Sequence, residues 1–353
     1  MIAPLEWGLG HATRCIPIIW ELMAQNCEVL IGAEGPSRSL LEEEFPGLTF
    51  LSLKGYRMRY SRKKSWLPLK ILLQFPKIIY SIYNEHRWLK NIIREFSIDA
   101  VISDNRFGLH TKRVPCIYIT HQLSIKTGHP FTDKVAQKIH YRFINKYNAC
   151  WVPDAKGKNN LAGGLSHPKN LPITPVHYIG PLSRFSKTGA EKKYGLAVII
   201  SGPEPQRSVF ETLLLKCLEG YDDLCLFVRG LPSDEKICKC KNEKIEIHNH
   251  LGTVALNKVI EQSNIVISRS GYTTVMDLVK LDHPALLIPT PGQTEQEYLA
   301  KYLSAKGFFD TIDQRDIDSD ILLRRIHSNL KPPTFDQDSY RQVIKDFVLG
   351  LYS

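Results

Sequence analysis

Four loops of this 353-residue chain carry residue types that can hold a phosphate, take a proton or grip a sugar hydroxyl. The first is Trp7-Gly-Leu-Gly-His-Ala-Thr-Arg14. Gly8 and Gly10 permit a tight turn and close backbone approach, and a helix starting there offers unpaired N–H groups to an anion. His11 sits at the positive end of that helix dipole, which favours a neutral imidazole able to accept a proton. A capping or core histidine is the plainer alternative. Arg14, one turn on, suits a phosphate or carboxylate, or else a solvated surface. The loop is not a complete G-x-G-x-x-G, and no Walker lysine accompanies it.

The second loop, Ser201-Gly-Pro-Glu-Pro-Gln-Arg207, repeats the pattern, with Ser201 and Gly202 turning into a helix. In the third, a strand over 265–268 meets the turn Arg269-Ser270-Gly271 and a helix over 273–280. Thr273, Thr274 and Asp277 share a face of its first turns. Hydroxyl and N–H groups from Ser270 to Thr274 can meet a diphosphate, and a carboxylate at 277 can accept both hydroxyls of a ribose. An acid favoured near a helix N-terminus is the alternative for Asp277. The fourth loop, Pro289-Thr-Pro-Gly-Gln-Thr-Glu-Gln-Glu-Tyr298, ends in a helix start where Gln296 and Glu297 suit sugar hydroxyls. No Asp-x-Asp follows a strand where a metal-bound diphosphate would lie, and Asp316-Ile-Asp318 reads as a helix cap. Cys238-Lys-Cys240 is a lone C-x-C with no second pair, so no metal is expected.

These loops need strands to end at them and helices to begin after them. Apolar runs at 2–5, 29–33, 100–103, 116–120 and 150–152 read as buried parallel strands. A second series covers 197–201, 225–229, 245–248, 265–268 and 285–289. Amphipathic stretches separate them, among them Ile16, Ile19, Trp20 and Met23 on one helical stripe. The chain is therefore α/β: two doubly wound Rossmann-like domains facing a cleft, with ligands beyond the carboxyl ends of the strands. The expected domains are 1–180 and 190–335, joined through the polar, breaker-rich stretch 180–189. Residues 336–353 form a last amphipathic helix that can cross back to the first domain.

The formal net charge of +10 is concentrated in one place. Between Lys54 and Arg94 lie all the excess basic residues, with Glu85 the lone acid, among Trp66, Tyr80, Tyr83 and Trp88. Basic residues beside aromatic and aliphatic ones make up an interfacial membrane segment. A core helix with a solvated basic face is the second possibility and nucleic acid the third; no nucleic-acid motif accompanies the charge, and none is expected as a partner. Pro68 and Pro76 predict short helices here rather than one. No apolar run spans a bilayer, the start lacks a secretory pattern, and the eight cysteines read as cytosolic thiols. The expected location is cytoplasmic, peripheral on the inner face of an anionic membrane.

Together these loops resemble the MurG-type inverting GT-B glycosyltransferases, a family 28-like group of UDP-N-acetylglucosamine transferases. The family's Arg-(Ser/Ala)-Gly-x-x-Thr-x-x-(Glu/Asp), strand ending in Pro and Gln-rich helix start are here Arg269, Ser270, Gly271, Thr274, Asp277, Pro289 and Gln296. Looser matches are Gly10-His11 to a Gly-Gly-His loop, Thr120-His-Gln122 to an acceptor-side His-Glu-Gln, and Gly180-Pro-Leu-Ser-Arg184 to a hinge element. The resemblance implies a UDP-sugar donor held by Gly10, Arg184, Ser201, Gly202 and the 269–277 motif, with the sugar on Gln296 and Glu297. It implies His11 as catalytic base. A lipid-linked or glycan acceptor would lie near Arg14, Asp104, Arg106, His121 and Gln122, and no metal or other cofactor is implied. Asp277 is shorter than the family's usual Glu, and Glu297 stands where a second Gln is common.

Two other readings share the fold. UDP-sugar hydrolases carry Gly-x-Gly-His-x-x-Arg-Cys, which Gly8-Leu-Gly-His-Ala-Thr-Arg-Cys15 matches, and there His11 would activate water. A non-catalytic nucleotide-binding protein is the third reading; the intact His11, Arg269 and Asp277 weigh against it.

Overall fold

A computed structural model describes residues 1–56, 67–231, 240–327, 330–336 and 338–351, with residues 67–75 described by backbone alone. The chain forms two compact units, Met1–Leu182 with Asp336–Ser353, and Ser183–Phe335. Both are parallel sheets with helical crossovers. Much of the basic segment, 57–66 with Trp66, lies outside the described residues, as does Cys238.

In the first unit, β1 (Ile2–Pro4), β2 (Leu30–Ala33), β3 (Thr49–Ser52), β4 (Val101–Asp104), β5 (Cys116–Ile119), β6 (Ala149–Val152) and β7 (Val176–Tyr178) lie in the order β3-β2-β1-β4-β5-β6-β7. The apolar runs at 2–5, 29–33, 100–103, 116–120 and 150–152 are its inner strands; the runs miss the short β3 and β7. The order reverses between β1 and β4, the switch point at which a doubly wound sheet opens a crevice. The register pairs Pro4 with Asp104, so the loops after β1 and β4 leave the sheet side by side.

Its helices are α1 (Leu9–Ala24), α2 (Gly35–Glu44), α3 (Leu67–Glu95) and α4 (Pro130–Ile144). On α1 the buried face is Ala12, Cys15, Ile16, Ile18, Ile19 and Leu22, whereas Trp20 and Met23 are exposed, against the predicted stripe. α3 also departs from expectation, being one helix with Pro76 inside it. Pro68 falls in the first turn, where its missing N–H had no partner. At Pro76 one backbone bond is lost, but Ile78 and Ile82 pack with Leu5 and Tyr56, and Leu89 and Ile93 enter the main core. That burial outweighs a single bond.

Glu85 ties α3 to the sheet. Its carboxylate accepts from Arg106 Nε (2.8 Å), Tyr56 Oη (2.8 Å) and the Gly108 amide (3.0 Å). Arg106 also donates to the carbonyls of Pro4 (3.1 Å) and Lys54 (2.6 Å). The lone acid of the basic segment is thus the buried partner of a buried arginine.

The second unit repeats the topology. β8 (Tyr194–Ile199), β9 (Cys225–Val228), β10 (Ile245–His248), β11 (Ser263–Ser268), β12 (Ala285–Leu287) and β13 (Asp310–Thr311) lie in the order β10-β9-β8-β11-β12-β13. Its helices are α5 (Gln206–Cys217), α6 (Thr253–Gln262), α7 (Tyr272–Leu281), α8 (Thr294–Ala305) and α9 (Ser319–Arg325). Here the register pairs Ile199 with Ser268, which brings the loops after β8 and β11 together at the second switch point. Asp318 caps α9 by accepting from the Ile321 amide (2.7 Å), as its spacing suggested. The last helix, α10 (Ser339–Leu349), belongs to the first unit. There Phe347 packs edge-on to Trp151, ring centroids 5.4 Å apart, and Ser339 Oγ donates to the Ile179 carbonyl (2.9 Å). Among the described residues no helix is long and apolar enough to cross a membrane.

Removing Glu85 would leave the buried Arg106 guanidinium with only the Glu6 carboxylate, 3.9 Å from its Nη2, as counter-charge. Glu85→Ala is expected to destabilise the protein by about 3–5 kcal/mol, and Glu85→Gln, which keeps a carbonyl acceptor, by less. Urea unfolding followed by circular dichroism checks both values and their order.

Candidate active site

The first switch point gathers a charged cluster from three loops. Asp104 closes β4, and the next residue, Asn105, adopts a left-handed conformation (φ 55°). That turn leaves Asp104 bonded to α1 and Arg106 bonded to Glu85, so one loop serves two networks. Asp104 is fully buried and takes Arg14 Nε at 2.6 Å, with Arg14 Nη2 on its other oxygen. His11 Nδ1 lies 3.0 Å from Asp104 Oδ1. Arg14 Nη1 donates to His121 Nδ1 (3.1 Å), and the Gln122 amide lies 3.4 Å from His121 Nε2.

Burial alone would raise the Asp104 carboxyl, but the Arg14 and His11 charges and hydrogen bonds hold it well below the usual carboxylate range. It is therefore an anion, able only to accept. Arg14 Nη2 also lies 2.9 Å from His11 Nδ1, but that group is already engaged by the carboxylate. We assign the His11 proton to Nδ1, donated to Asp104, which leaves Nε2 as the free acceptor of the ring. Burial lowers the His11 pKa, and Asp104 only partly opposes this, so the imidazole is neutral at neutral pH. His11 is 16 % exposed and Asp104 is not exposed at all, so the base reaches outward from a buried support.

Arg106 does not join this cluster. Its donors are spent on Glu85 and two backbone carbonyls, which corrects its placement on the acceptor side. Gly10 lies in the first turn of α1, and Gly8 before it has a φ of 94° that only glycine adopts freely.

In the second unit, Thr273 and Thr274 stand half-buried in the first turn of α7, which Gly271 precedes without a side-chain cap. The positive end of the α7 dipole lies at this turn, where an anion is favoured. Gln296 is fixed by Thr290, whose amide donates to its Oε1 (2.8 Å). Its Nε2 and Thr274 Oγ1 both lie 3.9 Å from the position a β-carbon would take on Gly271, so a bare backbone faces two polar groups there. Glu297 accepts from the Gly292 amide (2.7 Å), which holds the preceding loop. Ser201 and Gly202 are exposed beside β11, with Gly202 at a φ of 107°.

Asp277 is joined by a residue that sequence reasoning passed over. Ser183 Oγ donates to Asp277 Oδ1 (2.5 Å), and the neighbouring Arg184 donates to Thr253 Oγ1 (3.0 Å) at the start of α6. Burial raises the Asp277 carboxyl to about 6, against the pull of Arg184 and Ser183. A hydroxyl just before Arg184 was the available signal. Arg269 and Ser270 face inward instead. The Arg269 guanidinium is buried, 3.6 Å from the Phe210 ring centroid, and donates to the Pro289 carbonyl (3.1 Å) and Gln314 Oε1 (2.8 Å). Burial brings it down to about 9, and it remains a cation. Ser270 Oγ donates to the Gln296 carbonyl (2.9 Å). These two shape the loops rather than offer groups to a ligand.

Residues 232–348 match the family model described as the glycosyltransferase family 28 C-terminal domain. An uncharacterized glycosyltransferase of Methanosarcina mazei is 23% identical, over 96% of this chain and 88% of its own length. The UDP-N-acetylglucosamine--N-acetylmuramyl-(pentapeptide) pyrophosphoryl-undecaprenol N-acetylglucosamine transferase of Caldanaerobacter subterraneus is 22% identical, over 92% of this chain and 89% of its own. The chain is a GT-B glycosyltransferase related to MurG. The crystal structure of Acinetobacter baumannii MurG superposes with a TM-score of 0.58 at 12% identity, covering 99% of this chain and 98% of that one. Both parallel-sheet units of the transferase thus have the expected architecture. Among the described residues of the transferase, no three His, Cys, Asp or Glu side chains group as metal ligands.

Because burial depresses His11 while Asp104 props it up, Asp104→Asn is expected to lower its pKa further. Two-dimensional NMR titration of the histidine rings reads this directly. The wild-type His11 signal is expected to titrate below the ordinary histidine value, and that of the variant lower still.

Proposed function

We propose that this transferase moves a sugar, N-acetylglucosamine or a relative, from a UDP-sugar to a lipid-linked or cell-envelope glycan acceptor, with inversion and without a metal. The observation that carries the reading is the His11–Asp104–Arg14 cluster: a neutral base, its tautomer fixed by a buried anion, at the crevice of a doubly wound sheet. In an inverting displacement the acceptor oxygen attacks the anomeric carbon as the bond to the UDP phosphate oxygen breaks. His11 Nε2 takes the acceptor proton, Asp104 stabilises the imidazolium that results, and UDP leaves as the diphosphate. The N-terminus of α7 with Thr273 and Thr274 meets the diphosphate charge. Asp277 takes the ribose hydroxyls, and Gln296 with Glu297 the donor sugar.

A lipid-linked acceptor is supported by the name of the Caldanaerobacter relative and by the surface of the first unit. On α3, Ile79, Tyr80 and Tyr83 are exposed close to Lys77 and Arg87, a mixture suited to the boundary of an anionic membrane. The transferase would then work as a peripheral enzyme on the cytoplasmic face.

Release of UDP from a panel of UDP-sugars, measured with and without membrane lipid extract, tests the whole reading. UDP release that requires the extract supports transfer, full-rate release without it means hydrolysis, and none with any sugar sinks the donor assignment. His11→Ala is expected to cut turnover by about 10²–10⁴-fold while UDP affinity holds. The ribose role of Asp277 requires its carboxylate, so UDP affinity should fall as pH drops through about 6. Asp277→Asn should weaken UDP by about 10–100-fold and flatten that pH dependence, both measured by calorimetry.

A further inference from the structure

At the amino-terminal ends of the strands in the second unit lies a cavity of about 700 Å³, lined in part by Lys192, Tyr221, Asp223, His283, His327 and Lys331. Lys192 precedes β8, Tyr221 and Asp223 precede β9, and His283 precedes β12. In the order β9-β8-β11-β12, Tyr221 and Asp223 thus stand on one side of β8, and His283 stands on the other. The loops of the candidate donor site leave β8 and β11 at their far ends. Six residues of strand, about 20 Å, separate those loops from this cavity.

The β12 side gathers like charges. Lys192 Nζ donates to the Ser263 carbonyl (2.5 Å) and lies 3.3 Å from Nε2 of the buried His283. The His283 ring nitrogens face the carbonyls of Ser263 (2.8 Å) and Pro284 (3.0 Å). Burial, then the charge of Lys331, lowers the Lys192 ammonium below its ordinary value, with Glu261 opposing. Lys331 is exposed and has no ion pair or hydrogen bond among the described residues. The acids of the lining are engaged elsewhere. Glu261 is filled by Thr188 Oγ1 (2.6 Å), the Thr188 amide (2.8 Å) and Asn257 Nδ2 (3.0 Å), and Asp282 lies 3.6 Å from Lys187 Nζ. Two ammonium groups with donors to spare therefore share one cavity, which suits a compact anion with several acceptor oxygens.

On the β9 side, Asp223 Oδ1 accepts from the Leu224 amide (2.7 Å). Its second oxygen and Tyr221 Oη stand over the bare backbone of Gly195, where a β-carbon would collide with both. Burial, with the Asp223 charge beside it, pushes the Tyr221 phenol up to about 12, so it keeps its proton. An acceptor and a donor side by side match the needs of a sugar or polyol hydroxyl. We propose that this cavity binds a soluble phosphate ester of a hydroxyl-bearing molecule, its phosphate on Lys192 and Lys331 and its hydroxyls on Asp223 and Tyr221. The volume suits a ligand of that size. Its distance from the donor loops makes the occupant an effector rather than a substrate, and the site stands apart from the donor and membrane readings above.

Calorimetric titration of the full chain with inorganic phosphate, glucose 6-phosphate and glucose tests the site, each with and without saturating UDP. The wild type is expected to bind one glucose 6-phosphate, more tightly than inorganic phosphate, and to keep that affinity in UDP. Lys331→Gln is expected to weaken both phosphates about tenfold or more, as loss of a charge-assisted contact does, and the surface control Lys301→Gln neither. Lys192→Gln should act like Lys331→Gln. Because Lys192 also ties β8 to Ser263, its unfolding midpoint is measured, and Lys331→Gln alone decides if that variant is destabilised. Asp223→Asn should weaken glucose 6-phosphate about tenfold and leave inorganic phosphate unchanged. Equal losses in Lys331→Gln and Lys301→Gln would mean diffuse attraction and overturn the site, as would the absence of saturable binding by either phosphate. Displacement by UDP would put the phosphate on the donor site and overturn the cavity while leaving the donor reading intact. If inorganic phosphate binds as tightly as glucose 6-phosphate and Asp223→Asn changes neither, the cavity takes a free anion and the ester is overturned.

Discussion

One fully buried carboxylate, that of Asp104, sets the terms for the first unit. Placing an anion where no water reaches it costs several kcal/mol unless its partners replace the lost hydration. Arg14 does so with two donors from α1, and His11 adds a third contact from the same helix. The helix and the strand are therefore locked together at the point where the sheet reverses its order. Through the Arg14–His121 bond, the loop after β5 is held as well. Arginine alone would neutralise the carboxylate. With histidine beside it, the same support becomes a positioned base, because the anion fixes which ring nitrogen carries the proton.

The second unit uses the same topology for the opposite purpose. At its switch point the register likewise brings two strand-end loops together, but these end in glycine and small hydroxyl residues instead of an acid and a base. Backbone N–H groups at the start of α7 then become the dominant charge, and they suit an anion. Asp277 stands further along the helix and is drawn to Ser183 and Arg184 at the start of the second unit. A buried acid–base cluster and a turn of glycine and small hydroxyl residues thus arise from one architecture through the residues at the strand ends.

Much of this was legible in the sequence. The inner strands announced themselves as unbroken apolar runs, because a strand covered on both faces has no polar side to show. The edge strands β3 and β7 and the two-residue β13 did not, since exposed positions interrupt their runs. α4 stayed hidden for a related reason: the apolar Phe131, Val135 and Ile139 are exposed beside the basic Lys134, Lys138 and Arg142, so the usual contrast of faces is blurred. Trp20 and Met23 misled in the same direction, their apolar character placing them inside when they are exposed. Pro76 pointed to a break, yet the burial of Ile82, Leu89 and Ile93 carries the helix through it. His11, Gly271 and Asp277 lie at the helix starts where their spacing from a strand end put them. Ser183 was missed because its place just before Arg184, the one local signal, does not reveal that its partner is a helix acid 94 residues away.

The arginines show why residue type is a weaker guide than position. Arg14, Arg106 and Arg269 all follow strands, and each is a natural candidate for a ligand anion. All three are almost wholly buried. A guanidinium offers five donors in a rigid plane, so it can cross-link several carbonyls or a carboxylate at once, which loops at a sheet edge need most. Arg106 binds Glu85, Pro4 and Lys54 together, and Arg269 joins the loops around Pro289 and Gln314 with no acid partner among the described residues. Arg269 can do so because its charge rests 3.6 Å from the centroid of the Phe210 ring and because several carbonyl dipoles converge on it. Burying the cations as cross-links leaves the ligand face to glycine, threonine and backbone N–H groups. Those groups carry no full charge, approach closely and do not reorganise, which is what the proposed diphosphate leaving group would call for.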